Sequence, residues 1–204
     1  MTLRASLAGL LLFALSGCVA FEHAPPDLSC DPALVGQWRS IEDSPRIDVA
    51  VDAQCRARVT WPDETVEITL RSYGRGGVRY LALSPREAES IAGEGGEGLE
   101  SIMPANSTLL VAYRIRGKRL RAYIPDAEAV QASRAAGKLK ASPLTVQDED
   151  KHDHDNSLVV HSDAHAIARL LDTDPDALFG DLDASGAAAT ELKRVGAAPA
   201  KAKP

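Results

Sequence analysis

Between residues 46 and 61 the chain alternates apolar and polar side chains on both sides of a short turn. Only one strand pairing satisfies both faces. Ile47, Val49 and Val51 alternate with Arg46, Asp48, Ala50 and Asp52, and after Ala53-Gln54-Cys55 the apolar Ala57, Val59 and Trp61 alternate with Arg56, Arg58 and Thr60. A three-residue turn sets Val51 opposite Ala57, Val49 opposite Val59 and Ile47 opposite Trp61, and it puts Asp52 opposite Arg56 on the other face. A two-residue turn would oppose Val51 to Arg56 and is rejected. The segment therefore demands an antiparallel sheet with one buried face.

The same reading extends over residues 35–125, a series of short strands separated by turn signals. Strands are expected near 35–42, through Val66, Ile68 and Leu70, and over 78–83 after Gly74, Gly76 and Gly77. A short helix is expected at Pro85–Ala92, followed by the glycines 93, 95, 96 and 98. Residues 108–124 form the clearest hairpin, with Gly117-Lys118 as a two-residue turn of the II′ kind. Val111, Tyr113 and Ile115 then face Ile124, Ala122 and Leu120. On the opposite face Arg116 opposes Arg119 and Arg114 opposes Arg121.

From Pro125 the period changes. Asp126 caps a helix to about residue 136, with Gly137 as its stop. Residues 147–156 are a polar, acidic loop and 157–161 a strand. Ser162 is expected to cap a helix bearing Ile167, Leu170 and Leu171. Asp174-Pro175 opens a further helical turn ending near Phe179, and 191–195 reads as a last short strand. Residues 196–204 read as a disordered Ala/Pro/Lys tail.

The N-terminus carries the most specific motif. A single early charge at Arg4 precedes an apolar run over residues 7–15, too short for the roughly 20 residues of a spanning helix. The run ends in Leu15-Ser16-Gly17-Cys18, which resembles the lipobox of bacterial lipoproteins. The resemblance implies cleavage after Gly17, diacylation of the Cys18 sulfur and acylation of the new amine. Two or more acyl chains hold a soluble domain on a membrane where one chain does not. The alternatives are an ordinary signal peptide and an uncleaved anchor. Val19, where an Asp would mark inner-membrane retention, favours the outer membrane.

On that reading Cys18 carries lipid, and Cys30 and Cys55 remain as one disulfide in an oxidising compartment. The alternative is two buried thiols. Loss of Arg4 takes the formal net charge from −6 to −7. An acidic chain argues against nucleic acid as a partner.

Gly36-Gln37-Trp38, with the antiparallel strands after it, resembles the start of a lipocalin. That resemblance implies a Trp at the base of a barrel and a cavity for a small apolar ligand. It reaches from about residue 34 to 124, with seven strands read there against eight in a closed lipocalin barrel. An open or incomplete barrel is therefore as good a reading as a closed one, and Trp38 can equally be the core aromatic of a small sheet.

Other constellations are less specific. The four arginines at 114, 116, 119 and 121 require neighbouring carboxylates or an anionic partner, such as a lipid headgroup. His152, His154, His161 and His165, interleaved with Asp153, Asp155 and Asp163, are competent metal ligands, but a charged loop does not hold them rigidly. Plain solvation or weak adventitious binding is the preferred reading, so no metal and no cofactor is assigned. No Gly-x-Ser-x-Gly, His-Glu-x-x-His or phosphate-loop pattern occurs.

The expected fold class is α+β: an antiparallel, lipocalin-like sheet or partial barrel followed by a short helical C-terminal section. The expected division is a signal peptide (1–17), a lipidated tether (18–33), a β domain (34–125), a helical section packed on it (126–195) and a tail (196–204). The expected function is a non-catalytic binding or interaction module of the bacterial envelope. Its lipid anchor holds it to the outer membrane, and an anionic lipid or an envelope protein is its partner. A lipocalin-like carrier of a small apolar ligand and an envelope enzyme are the alternatives.

Overall fold

A computed structural model of the chain describes residues 18–42, 45–74, 76–92, 98–104, 106–144, 157–184 and 189–196. The expected signal peptide, the acidic loop with His152 and His154, and tail residues 197–204 lie outside these.

The hairpin that opened the sequence reading sets the sheet. β3 (Asp48–Val51) and β4 (Arg56–Thr60) pair with Val49 opposite Val59 and Val51 opposite Ala57. Asp52 and Arg56 close the turn through an ion pair at 2.7 Å, and Cys55 takes the left-handed conformation that a three-residue turn requires, with φ 57°. β2 (Gly36–Ser40) and β5 (Thr65–Thr69) flank this pair. The second hairpin also has the expected register. β8 (Thr108–Arg116) and β9 (Arg119–Tyr123) oppose Arg114 to Arg121 and Arg116 to Arg119, around Gly117 with φ 61°.

The remaining strands are β1 (Val19–Phe21), β6 (Ser72–Tyr73), β7 (Arg79–Leu83), β10 (Ala141–Pro143), β11 (Leu158–Val160) and β12 (Thr190–Gly196). All twelve belong to one sheet, whose main path runs β10-β11-β1-β8-β9-β12-β2-β3-β4-β5, with β7 and β6 branching from β8. Every pairing is antiparallel except β1 with β11. The sheet is open, because no ladder joins β5 to β7. It nevertheless curls. β5 and β6 follow each other on one stretch, the first paired with β4 and the second with β7. Between them Leu70 N–H donates to the Cys55 carbonyl at 2.8 Å, and Ala82 N–H donates to the Arg71 carbonyl at 3.0 Å.

Two apolar cores follow from this curl. The concave face gathers Trp38, Val51, Ala57, Leu83 and Leu120 beneath α1 (Pro85–Ala92) and α2 (Leu99–Ile102). α1 begins in a capping box: Ser84 Oγ accepts from Glu87 N–H, while Ser84 N–H donates to the Glu87 carboxylate. The convex face of β1, β7, β8 and β11 packs Phe21, Tyr80, Leu110 and Val160 against α3 (Ala127–Ala135), α4 (Ala164–Thr173) and α5 (Asp176–Phe179). Asp126 caps α3 as expected. Asp163, not Ser162, caps α4, because the Ser162 hydroxyl is engaged by Lys140 N–H.

Two expected divisions are corrected. Residues 18–33 are not a free tether: Val19–Phe21 is a strand with at most 2% exposure between β8 and β11, and Ala24 and Leu28 pack on the convex core. An apolar Val-Ala-Phe triplet gains more from burial than from solvation, which draws it into the sheet. The section 126–195 holds the strands expected at 157–161 and 191–195 besides its helices, so the sheet is not confined to residues 34–125. This section supplies β10, β11 and β12, and β12 lies centrally between β9 and β2. No helix among the described residues is long and apolar enough to cross a membrane.

Candidate functional site

Inward-facing residues of eight strands line an apolar cavity on the concave side that is open to solvent on one side. It holds about 210 Å³ and is lined by side chains of β2, β3, β4, β5, β7, β8, β9 and β12, with Ile91 and Ala92 of α1 beside it. The period of two along each strand generates it: Val49 and Val51, Ala57 and Val59, and Leu120 and Ala122 alternate with solvent-facing residues. Both tryptophans of the chain line it. The Trp61 Nε1–H is buried without a hydrogen-bond partner.

Trp38 lines this cavity and is 1% exposed. Its Nε1–H donates to the Leu34 carbonyl at 2.7 Å, on a single 3-10 turn (Pro32–Leu34) that precedes β2. Arg194 of β12 lies opposite it in register, with its guanidinium 4.2 Å from the centroid of the indole. The same guanidinium donates to the Val35 carbonyl at 2.6 Å and the Ala33 carbonyl at 2.7 Å. The neighbouring strands β2 and β12 and the turn before β2 are thereby locked together, forming a base on this side of the cavity. Gly36 is required here, since a Cβ on it would stand 2.7 Å from Arg194 Nη1 and its φ is +141°.

Next to this base, Cys30 and Cys55 form the disulfide, with their Cα atoms 5.5 Å apart. Asp31 follows at once and is 7% exposed. It accepts from Ala33 N–H at 2.9 Å and Tyr113 Oη–H at 2.6 Å, and it pairs with Arg79. Burial alone would raise the Asp31 carboxyl, but the Tyr113, Ala33 and Arg79 contacts outweigh it and hold the group below its usual range. Burial, with the Asp31 anion, pushes the Tyr113 phenol well above its usual value. Neither group is poised near neutrality, so the cluster has the character of a structural lock and not of an acid–base pair.

Cys18 lies where β1 begins. Its N–H donates to Ser157 Oγ at 3.1 Å and its carbonyl accepts from Leu158 N–H at 2.8 Å. An acylated amine keeps one N–H, so the first bond is compatible with N-acylation. Burial pushes its thiol up.

Two carboxylates flank the four-arginine face. Asp183 meets Arg114 at 2.5 Å and Arg116 at 3.9 Å, while Glu191 meets Arg121 at 2.5 Å and Arg119 at 3.6 Å. Of the histidines described, His161 is held between the Glu22 carboxylate at 2.7 Å and the Ser142 hydroxyl at 2.8 Å. No group of three metal-competent side chains is brought together among the described residues. A larger, polar cleft of about 690 Å³ lies between the β6–β7 turn and α4, where Tyr73 Oη–H donates to Asp172 at 2.7 Å. Its walls mix polar and apolar groups.

Sequence reasoning located Trp38 but not Arg194 or the cavity role of Trp61. The signal for Arg194 was present: Leu192 and Arg194 share one face of the last strand, opposite the Trp38 face of β2. No protein-family model, curated protein or solved structure matches the chain.

Proposed function

We propose that this chain is a lipid-anchored bacterial envelope protein whose curled, lipocalin-like sheet holds a small apolar ligand without chemically changing it. The observation that carries the reading is the cavity of about 210 Å³, walled by apolar side chains from eight strands. An apolar pocket that opens to solvent on one side releases water when an apolar guest enters it. With one water's share of the liquid at roughly 30 Å³, the space equals about seven waters. That suits a short alkyl chain, an aromatic ring or the end of a longer acyl chain.

The lipobox at Leu15-Ser16-Gly17-Cys18 supports the anchor, and the outer membrane is its proposed location. With Val19 already inside the sheet, acyl chains on Cys18 would hold the domain directly against the bilayer, ready to exchange an apolar ligand with it.

Native mass spectrometry of the protein taken from its own membrane tests both halves. The reading expects a covalent acyl mass on Cys18 and a separate, one-to-one noncovalent adduct. Absence of the covalent mass rejects the anchor, and a ligand-free protein that also refuses added fatty acid rejects the carrier.

A further inference from the structure

The outer face of β8, β9, β12 and β2 carries a row of cations that its own carboxylates do not balance. Arg116 opposes Arg119, Arg119 opposes Lys193, and Lys193 opposes Arg39, so four cations cross four adjacent strands in one register row. At about 4.8 Å per strand the row spans about 14 Å. Arg114, Arg121 and Glu191 form the row beside it. On this face six cations meet three carboxylates, Asp48, Asp183 and Glu191, in a chain whose formal net charge is −6.

Three cations carry the deficit: exposed Lys193, with no ion pair among the described residues, and Arg116 and Arg119. Arg39, Arg114 and Arg121 have close carboxylate partners at 2.6, 2.5 and 2.5 Å. Arg116 and Arg119 have only the long contacts at 3.9 and 3.6 Å, and their side chains are 80% and 64% exposed. All four hairpin arginines line one concavity of about 210 Å³, with Tyr123 and Asp183. Directly opposed like charges are destabilising, and each guanidinium here retains donors in a planar fork.

We propose that this concavity binds a phosphate-bearing anion, with Arg116 and Arg119 as its principal donors. A phosphate group, whose free oxygens project at tetrahedral angles, can bridge two forks, which a single planar carboxylate does less well. A lipid headgroup and a free phosphate present the same chemistry. Extending the β1–β8 register sets Cys18 opposite Val111, five residues from Arg116 along β8, or about 17 Å. The headgroup source rests on the anchor proposed above; the phosphate chemistry does not, and neither depends on the apolar cavity.

The test uses the chain from residue 18 with Cys18→Ser, so that no acyl group contributes. Calorimetric titration with inorganic phosphate and pyrophosphate at low salt forms one arm. Co-sedimentation with vesicles of phosphatidylcholine, alone or with phosphatidylglycerol, forms the other. Saturable binding in either arm is expected, weakening as salt rises, and the arm that responds identifies the source. The double variant Arg116→Ser/Arg119→Ser should lose at least tenfold in affinity while its melting temperature stays equal or rises. Arg86→Ser, an exposed arginine paired with Glu100 elsewhere, should bind as the parent does. Binding in neither arm, or undiminished binding by a folded double variant, overturns the proposal.

Discussion

Arg194 stacks 4.2 Å from the ring centroid of Trp38 and donates to the carbonyls of Ala33 and Val35, so one guanidinium joins the last strand, the first long strand and the turn before it. Arg194→Ala leaves two carbonyls without their donor and removes the cation–π contact. The expected cost is about 3 kcal/mol, read as a lower urea midpoint. Gly36→Ala, which forces a Cβ onto the same guanidinium at positive φ, should cost about 2 kcal/mol. Parent-like stability in both would show that the base is not what holds the curl.

The disulfide closes a loop of sequence separation 25 and ties the segment before β2 to the β3–β4 turn. Replacing both cysteines, as Cys30→Ser/Cys55→Ser, should lower stability by about 3–4 kcal/mol on the chain-entropy account. Reduction of the parent should produce the same shift in chemical unfolding.

Acid should loosen the protein through Asp31. Its folded-state carboxyl is held below the usual value, so near pH 4 the folded chain binds fewer protons than the unfolded one. The stabilisation is complete above the unfolded value of about 3.9 and is lost as pH falls through the lower folded value. Asp48, Asp52 and Asp163 are shifted in the same direction and add to the trend. Stability measured from pH 7 to 3 should fall more gently in Asp31→Asn than in the parent, from a lower starting point.

Ala57 is 1% exposed and lines the cavity. Ala57→Leu puts three more carbons into that space. It should abolish uptake of an apolar guest while raising stability by up to about 2 kcal/mol, at about 0.8 kcal/mol per buried methylene. A loss of stability from overpacking would mean that the cavity is smaller than it measures.

The hairpins were legible because their turns, alternation and charge pairs all agreed: Asp52 with Arg56 fixed one register, and Gly117 the other. Capping residues were legible where one candidate stood alone, as at Asp126. Ser162 and Asp163 competed, and a tertiary bond to Lys140 N–H decided between them. What the sequence could not yield were partners distant along the chain. Nothing local says that Val19–Phe21 enters the sheet beside Val160, or that a strand ending at Gly196 returns between β9 and β2. The cavity was illegible for the same reason, since its walls meet only when those distant strands do.

Trp38 and Trp61 are the chain's two tryptophans, and both line the cavity, so its emission reports directly on the proposed ligand space. Titration with a medium-chain fatty acid brominated on its alkyl chain is the most direct test, because bromine quenches an indole only at contact. Saturable, one-to-one quenching of most of the emission, lost in Ala57→Leu, is the predicted result. Emission that stays constant up to the concentration at which the acid forms micelles would contradict the account.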